Sequence, residues 1–118
     1  MKTKEDILRD CDFFIGIPAS SLKDWIAEIP EEKHNFCTNE YEAVGIAFGA
    51  WLAGKKPCVY MQSDGLGVCL NALTSLVIPY GAEIWLVIGN RTDGVHQTLG
   101  VVSDLILGLI KYSNYVYA

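Results

Sequence analysis

Cys58-Val-Tyr-Met-Gln62, followed at once by Ser63-Asp-Gly-Leu-Gly67 and then by the apolar run Val68 to Val77, is the stretch that decides the fold. The first five residues show no helical period and read as a buried strand. The glycine-bearing segment reads as a tight loop, and the run beyond it as a helix. Ile78-Pro-Tyr-Gly81 breaks that helix, and Ile84-Trp-Leu-Val-Ile88 follows as a second continuous apolar strand. A strand without polar alternation is covered on both faces, as in a parallel sheet flanked by helices. The same alternation extends outward in both directions. Toward the N-terminus lie a helix from Asp6 to Cys11, a strand from Phe13 to Ile17 and a helix from Leu22 to Ile29, which Ser20 or Ser21 can cap and Pro30 ends. A short strand from Asn35 to Thr38 and a long helix from Asn39 or Glu40 to about Ala53 complete that half. Toward the C-terminus lie a polar loop from Gly89 to Thr98, an amphipathic helix from Leu99 to Ile110 and a short strand from Asn114 to Tyr117. The expectation is a single α/β domain over residues 1–118, with an open, mainly parallel sheet and helices on both faces.

Composition narrows the partners. The 118 residues are 51% hydrophobic and 19% charged, with a formal net charge of −5. Hydrophobic content is ample for a core, and the charged share is below the usual quarter, which fits either surface covered by a partner or a small α/β domain with an unusually apolar interior. The negative balance argues against nucleic acid and against an anionic membrane surface. No stretch is long enough to span a membrane, and Met1-Lys-Thr-Lys-Glu-Asp6 lacks the apolar core of a signal peptide. Cys11, Cys37, Cys58 and Cys69 are scattered, without a CxxC pair, so no metal site is expected and a reduced, cytoplasmic setting is.

Ligands of an open parallel sheet gather outside the carboxyl ends of its strands. Four segments fall there: Pro18-Ala-Ser20, Thr38-Asn-Glu40, Ser63 to Gly67, and Asn90 to Gln97. Glu40 stands at a strand-to-helix junction, where a carboxylate is either a site acid or a first-turn residue favoured by the helix dipole. Glu42 could serve the same capping purpose. The turn Gly65-Leu-Gly67 is not a dinucleotide fingerprint, since Leu70 holds the third glycine position. His96, near Arg91 and Asp93, reads as a site base or as a solvated loop residue. Ser63, Asp64 and His96 do not form a hydrolase triad, because the nucleophile-elbow pattern is missing.

Two motifs resemble the pyrimidine-binding domain of thiamin diphosphate-dependent 2-oxo acid decarboxylases. The first is Asn39-Glu-Tyr-Glu-Ala-Val-Gly-Ile-Ala-Phe-Gly-Ala-Trp-Leu-Ala-Gly-Lys-Lys-Pro57. The second, Val59 to Gly67 with Asn71 to Leu76, is similar to sulfopyruvate and phosphonopyruvate decarboxylases, whose pattern is Met-Gln-Asn-Ser-Gly-Leu-Gly-Asn. Phe14-Ile-Gly-Ile-Pro18 matches the opening strand and turn of that family. The resemblance implies that Glu40 bonds the pyrimidine N1′, favouring the imino form of the 4′-amino group that removes the thiazolium proton. It implies that Ser63, Asp64, Gly65, Leu66 and Gly67 lie beside the aminopyrimidine, and that Ala19, Ser20, Arg91 and His96 face substrate. Two departures stand out: Ser63-Asp64 replaces Asn-Ser, and Val68 replaces the Asn after the second Gly. An added carboxylate there would oppose a doubly anionic 2-oxo acid. The Gly-Asp-Gly…Asn motif that holds diphosphate and Mg²⁺ in such enzymes is missing. The resemblance therefore implies a diphosphate-binding beta-type subunit, in an α2β2 or larger assembly, acting on sulfopyruvate or phosphonopyruvate. A regulatory or scaffolding subunit that kept the fold, and a flavodoxin-like or receiver-like binding domain, are the competing readings.

Overall fold

The computed structural model describes residues 2–118. Helix α1 (Lys4–Asp10) leads into β1 (Phe13–Gly16), and a 3₁₀ turn (Ser20–Leu22) opens into α2 (Lys23–Ala27). A second 3₁₀ turn precedes β2 (His34–Asn35), α3 (Glu40–Leu52) and β3 (Pro57–Gln62). Then come α4 (Gly65–Ala72), β4 (Trp85–Gly89), α5 (Gln97–Leu109) and β5 (Tyr115–Tyr117). The five strands are all parallel in the order β2-β1-β3-β4-β5. Flavodoxin-like domains share that order, so topology alone does not separate the competing readings.

Both faces of the sheet are covered, for the reason the uninterrupted apolar strands suggested. Phe14, Cys58, Tyr60 and Val87 point to one side and pack with Ile7 of α1 and Trp25 of α2. Ile15, Val59, Met61, Leu86 and Ile88 point to the other, under α3, α4 and α5. Burying a large aliphatic side chain contributes roughly 1.5–3 kcal/mol, so these two clusters hold the layers together. Gly16 marks a close approach: a methyl group there would stand 2.0 Å from the Tyr60 carbonyl oxygen of the neighbouring strand.

Several boundaries differ from the sequence reading, and two differences bear on the site. Ser63 to Gly67 is not a five-residue loop, because α4 begins at Gly65 and the connection is only Ser63-Asp64. Two glycines in a first turn hid that start, since glycine disfavours helix unless packing requires it. The α-helix ends at Ala72 and continues as one π-helical turn, Leu73–Val77, where the Ile78 N–H reaches the Leu73 carbonyl. Ser20 and Ser21 do not cap α2, whose start has no side-chain cap. Ser21 Oγ instead lies against the end of β4, 2.3 Å from where a Gly89 methyl would stand.

Candidate active site

The chain leaves β1 toward the face that carries α2 and leaves the neighbouring strand β3 toward the face that carries α4, so the connections after these two strands part in opposite directions, where a crevice forms in such sheets. Glu40 is the first residue of α3, partly buried at the edge of that region. Its neighbours do the capping. The Asn39 side chain accepts from the Glu42 N–H at 2.9 Å, and the Glu42 carboxylate accepts from the Thr38 N–H at 2.8 Å. The Glu40 carboxyl is left to lie across the start of α4. A methyl group on Gly65 would stand 2.7 Å from Glu40 Cγ and 2.8 Å from Oε2. The starts of α3 and α4 therefore meet at one carboxyl group. Burial, and after it the Glu40 charge, push the nearby Cys69 thiol up to about 12.

The Ser63-Asp64 connection holds the other loop. Ser63 is fully buried, and its hydroxyl accepts from the Arg91 N–H at 2.9 Å. The Asp64 carboxylate lies 3.2 Å from His96 Nδ1, and its second oxygen accepts from Gln62 Nε2 at 3.0 Å. The departure expected to repel an anionic substrate is thus paired with the loop imidazole. At the loop's start, the buried Ser103 hydroxyl meets Asn90 Oδ1 at 3.1 Å and the Tyr117 hydroxyl at 2.7 Å. Gly100 permits this packing, since a methyl group there would fall 1.5 Å from the Arg91 carbonyl oxygen.

The candidate residues do not form one pocket. Ser20 and Arg91 share a polar cleft of about 330 Å³ with Ser21, Gln62, Asn90 and Asp93. Ala19 and Ser20 also line a shallower hollow of about 360 Å³ beside Lys23 and Ile26. Leu66 is buried in the core under α3, so its side chain is not offered to a ligand, and Gly67 faces Leu99 of α5 instead. Ser63 is likewise a structural latch, with its hydroxyl occupied. Sequence reasoning missed Gln62 and Ser103 and gave Asn90 only as the start of a loop segment. The signal for Gln62 was a polar residue closing an apolar strand, and Ser103 is a polar residue within an amphipathic helix. A wider hollow of about 950 Å³ lies elsewhere, lined by Lys2, Trp85, Lys111 and Tyr115, and contains none of the candidate residues. Among the described residues, no group of three or more His, Cys, Asp or Glu side chains is placed to hold a metal ion. Also among them, no helix is long and apolar enough to cross a membrane.

No family model matches this chain. Over 85 residues, 70% of its length, it is 39% identical to the sulfopyruvate decarboxylase subunit alpha of Methanocaldococcus jannaschii, of which it covers 50%. Over 105 residues it is 33% identical to the phosphonopyruvate decarboxylase of Streptomyces viridochromogenes, covering 80% of this chain and 26% of that one. The chain thus spans about half the length of the alpha subunits it matches and about a quarter of the longer decarboxylases. Among solved structures, an enzyme from Mycobacterium smegmatis, assigned as thiamin diphosphate-dependent, superposes with a TM-score of 0.64 at 21% identity. That likeness covers 89% of this chain and 21% of the other and establishes the fold.

Proposed function

We propose that this chain, a relative of the sulfopyruvate and phosphonopyruvate decarboxylases, presents Glu40 to the aminopyrimidine ring of thiamin diphosphate in a 2-oxo acid decarboxylase. The observation that carries the reading is the state of Glu40. Asn39 and Glu42 meet the capping needs of α3, while the Glu40 carboxyl rests in the space that a side chain at residue 65 would fill. A first-turn glutamate present only for helix stability has no need of that arrangement. The residues fit the group: a carboxyl not used in capping its own helix, and a glycine whose missing side chain makes room for it. When bound, thiamin diphosphate supplies the electron sink that makes loss of CO₂ from a 2-oxo acid feasible. Glu40 holds and exchanges a proton at its carboxyl oxygen, Gly65 keeps that oxygen in place, and Ser63 fixes the Arg91–His96 loop above the turn.

The substrate class follows from kinship: a three-carbon 2-oxo acid with a second anionic group, sulfonate or phosphonate. Arg91 lines the cleft and His96 stands farther along the same loop; these two groups would meet that anion. Anchorage of the diphosphate through Mg²⁺ falls to a beta-type partner, because a hydrogen bond from one carboxyl, about 1.5–3 kcal/mol, is too little to retain the cofactor once its freedom of motion is lost. The outer side of α3 is open to a partner in an assembly of α2β2 or larger form, since a methyl group on Gly45 or Gly49 would meet none of the described residues within 4 Å. The test is reconstitution with a diphosphate-binding partner. Decarboxylation of sulfopyruvate or phosphonopyruvate is expected only in the mixture, and Glu40→Gln should lower turnover about 10²-fold or more while assembly is preserved. Equal turnover with Glu40→Gln would refute the role of Glu40, and a scaffolding subunit would leave the partner's activity indifferent to that change.

A further inference from the structure

We propose that Ser103 is a positioning residue that works with Ser63 to fix Asn90 and Arg91 at the polar cleft, and that Asn90 is a substrate contact there. Apart from the cysteines and aromatic side chains of the core, Ser63 and Ser103 are the only polar side chains buried among the described residues. Both direct their hydroxyls at the same two consecutive residues. Ser103 Oγ donates to Asn90 Oδ1 at 3.1 Å, and Ser63 Oγ accepts from the Arg91 N–H at 2.9 Å. Burying a hydroxyl is unfavourable unless it is bonded, and alanine would fill either place without that penalty. Inside α5, alanine is also the better helix former. The Gly100 carbonyl, 3.2 Å from Ser103 Oγ, could satisfy the hydroxyl within its own helix. Burial alone therefore does not account for the reach of Ser103 to Asn90.

The two bonds come from different elements. Ser63 belongs to the β3–α4 connection, and its own N–H donates to the Gly89 carbonyl at 3.0 Å. Ser103 belongs to α5, and the Tyr117 hydroxyl of β5 lies 2.7 Å from its oxygen. Gly100, three residues earlier, brings α5 so close that a methyl group there would stand 1.5 Å from the Arg91 carbonyl oxygen and 3.2 Å from Ser63 Oγ. Asn90 and Arg91 are half-buried, whereas residues 92–98 are exposed, so the clamp covers the start of the β4–α5 loop and ends there. Both clamped residues line the cleft, together with Ser20, Ser21 and Gln62. Ser103 holds one end of the Asn90 amide, which leaves the other end to the cleft. The contact with substrate rests on the decarboxylase reading; the clamp does not.

Backbone ¹⁵N relaxation of the 118-residue chain tests the clamp directly. The Asn90 and Arg91 amides should have order parameters near the rigid-backbone value of about 0.85, with lower values over residues 92–98. Asn90 and Arg91 amides no more ordered than residues 92–98 would overturn the proposal. The wild-type chain decides this whether or not a variant folds well. In the reconstituted enzyme, Asn90→Ala and Ser103→Ala should each raise KM about tenfold, the effect of one hydrogen bond to a charged group, with kcat changed much less. Because Ser103 acts through Asn90, the double variant should be no worse than Asn90→Ala alone; full additivity would overturn the coupling. A Ser103→Ala chain with a lowered urea midpoint and a wild-type KM would reduce Ser103 to a structural residue and overturn its positioning role. A wild-type complex without turnover would defeat the decarboxylase reading, and the relaxation measurement would still decide the clamp.

Discussion

A methyl group added at Gly65 would meet Glu40 Cγ, Cδ and Oε2, all within 2.9 Å. Those atoms belong to a side chain that can swing aside, so the fold can absorb the change and the position of the carboxyl cannot. Gly65→Ala should therefore leave the unfolding midpoint near wild type, with alanine in place of glycine also helping the first turn of α4. Turnover of the reconstituted enzyme should fall toward that of Glu40→Gln, since a displacement near 1 Å at a reacting group costs about 10²-fold. Parallel measurements of urea midpoint and turnover check this; a variant that lost stability and kept its rate would contradict the seat assigned to Glu40. Gly100 is different, because its methyl group would strike the backbone of Arg91 rather than a mobile side chain.

At the scale of elements, α3 divides its labour between neighbouring residues. Asn39 and Glu42 satisfy N–H groups at the helix start, and Glu40 makes no such contact. Loss of an N-cap side chain costs about 1 kcal/mol. Asn39→Ala should lower stability by about that amount in urea titration, whereas Glu40→Gln should leave it unchanged and reduce only turnover. A Glu40→Gln chain destabilised as much as Asn39→Ala would return Glu40 to the role of helix cap. The same element also shows why the glycines in its middle were hard to interpret from sequence. Ala43 and Ala47 are packed in the core, whereas Gly45 and Gly49 look outward onto open space, so the small residues serve two sides of the helix for different reasons.

Across the whole molecule, both core layers hold groups that must stay neutral. Burial pushes Cys11 up to about 11 and Tyr60 up to about 12, and burial together with Glu40 takes Cys69 to about 12. Each folded value lies above the unfolded one, so the neutral form is favoured in the folded state. The stability this provides is fully present below the unfolded values of about 8.5 for thiols and 10 for tyrosine. It is lost as pH rises through the folded values. The urea midpoint should therefore be level to about pH 8.5 and fall progressively through pH 11 to 12, where Cys11, Cys69 and Tyr60 titrate. A midpoint that stayed level to pH 12 would contradict the burial of these three groups. On the outer surface, Val101, Leu105 and Leu109 are well exposed along α5, the same helix that carries Gly100 and Ser103 on its inner side.

The layered α/β architecture, the parallel strands and the placement of Glu40 at the head of a helix were all legible in the sequence, because they follow from local periodicity and from continuous apolar runs. The motifs between residues 39 and 76 resemble the 2-oxo acid decarboxylases, and the chain is similar to proteins named as such. What only the tertiary structure decided was which polar groups meet. Ser63 and Asp64 are adjacent in sequence yet reach Arg91 and His96, residues 28 and 32 positions away, because β3 and β4 are paired and bring their ends together. Leu66 looked like a loop residue beside a ligand and is core, because the helix begins earlier than two glycines suggest. Sequence records which groups a chain owns, but hydrogen-bond partners across a parallel sheet depend on strand register and helix packing, which no local pattern encodes.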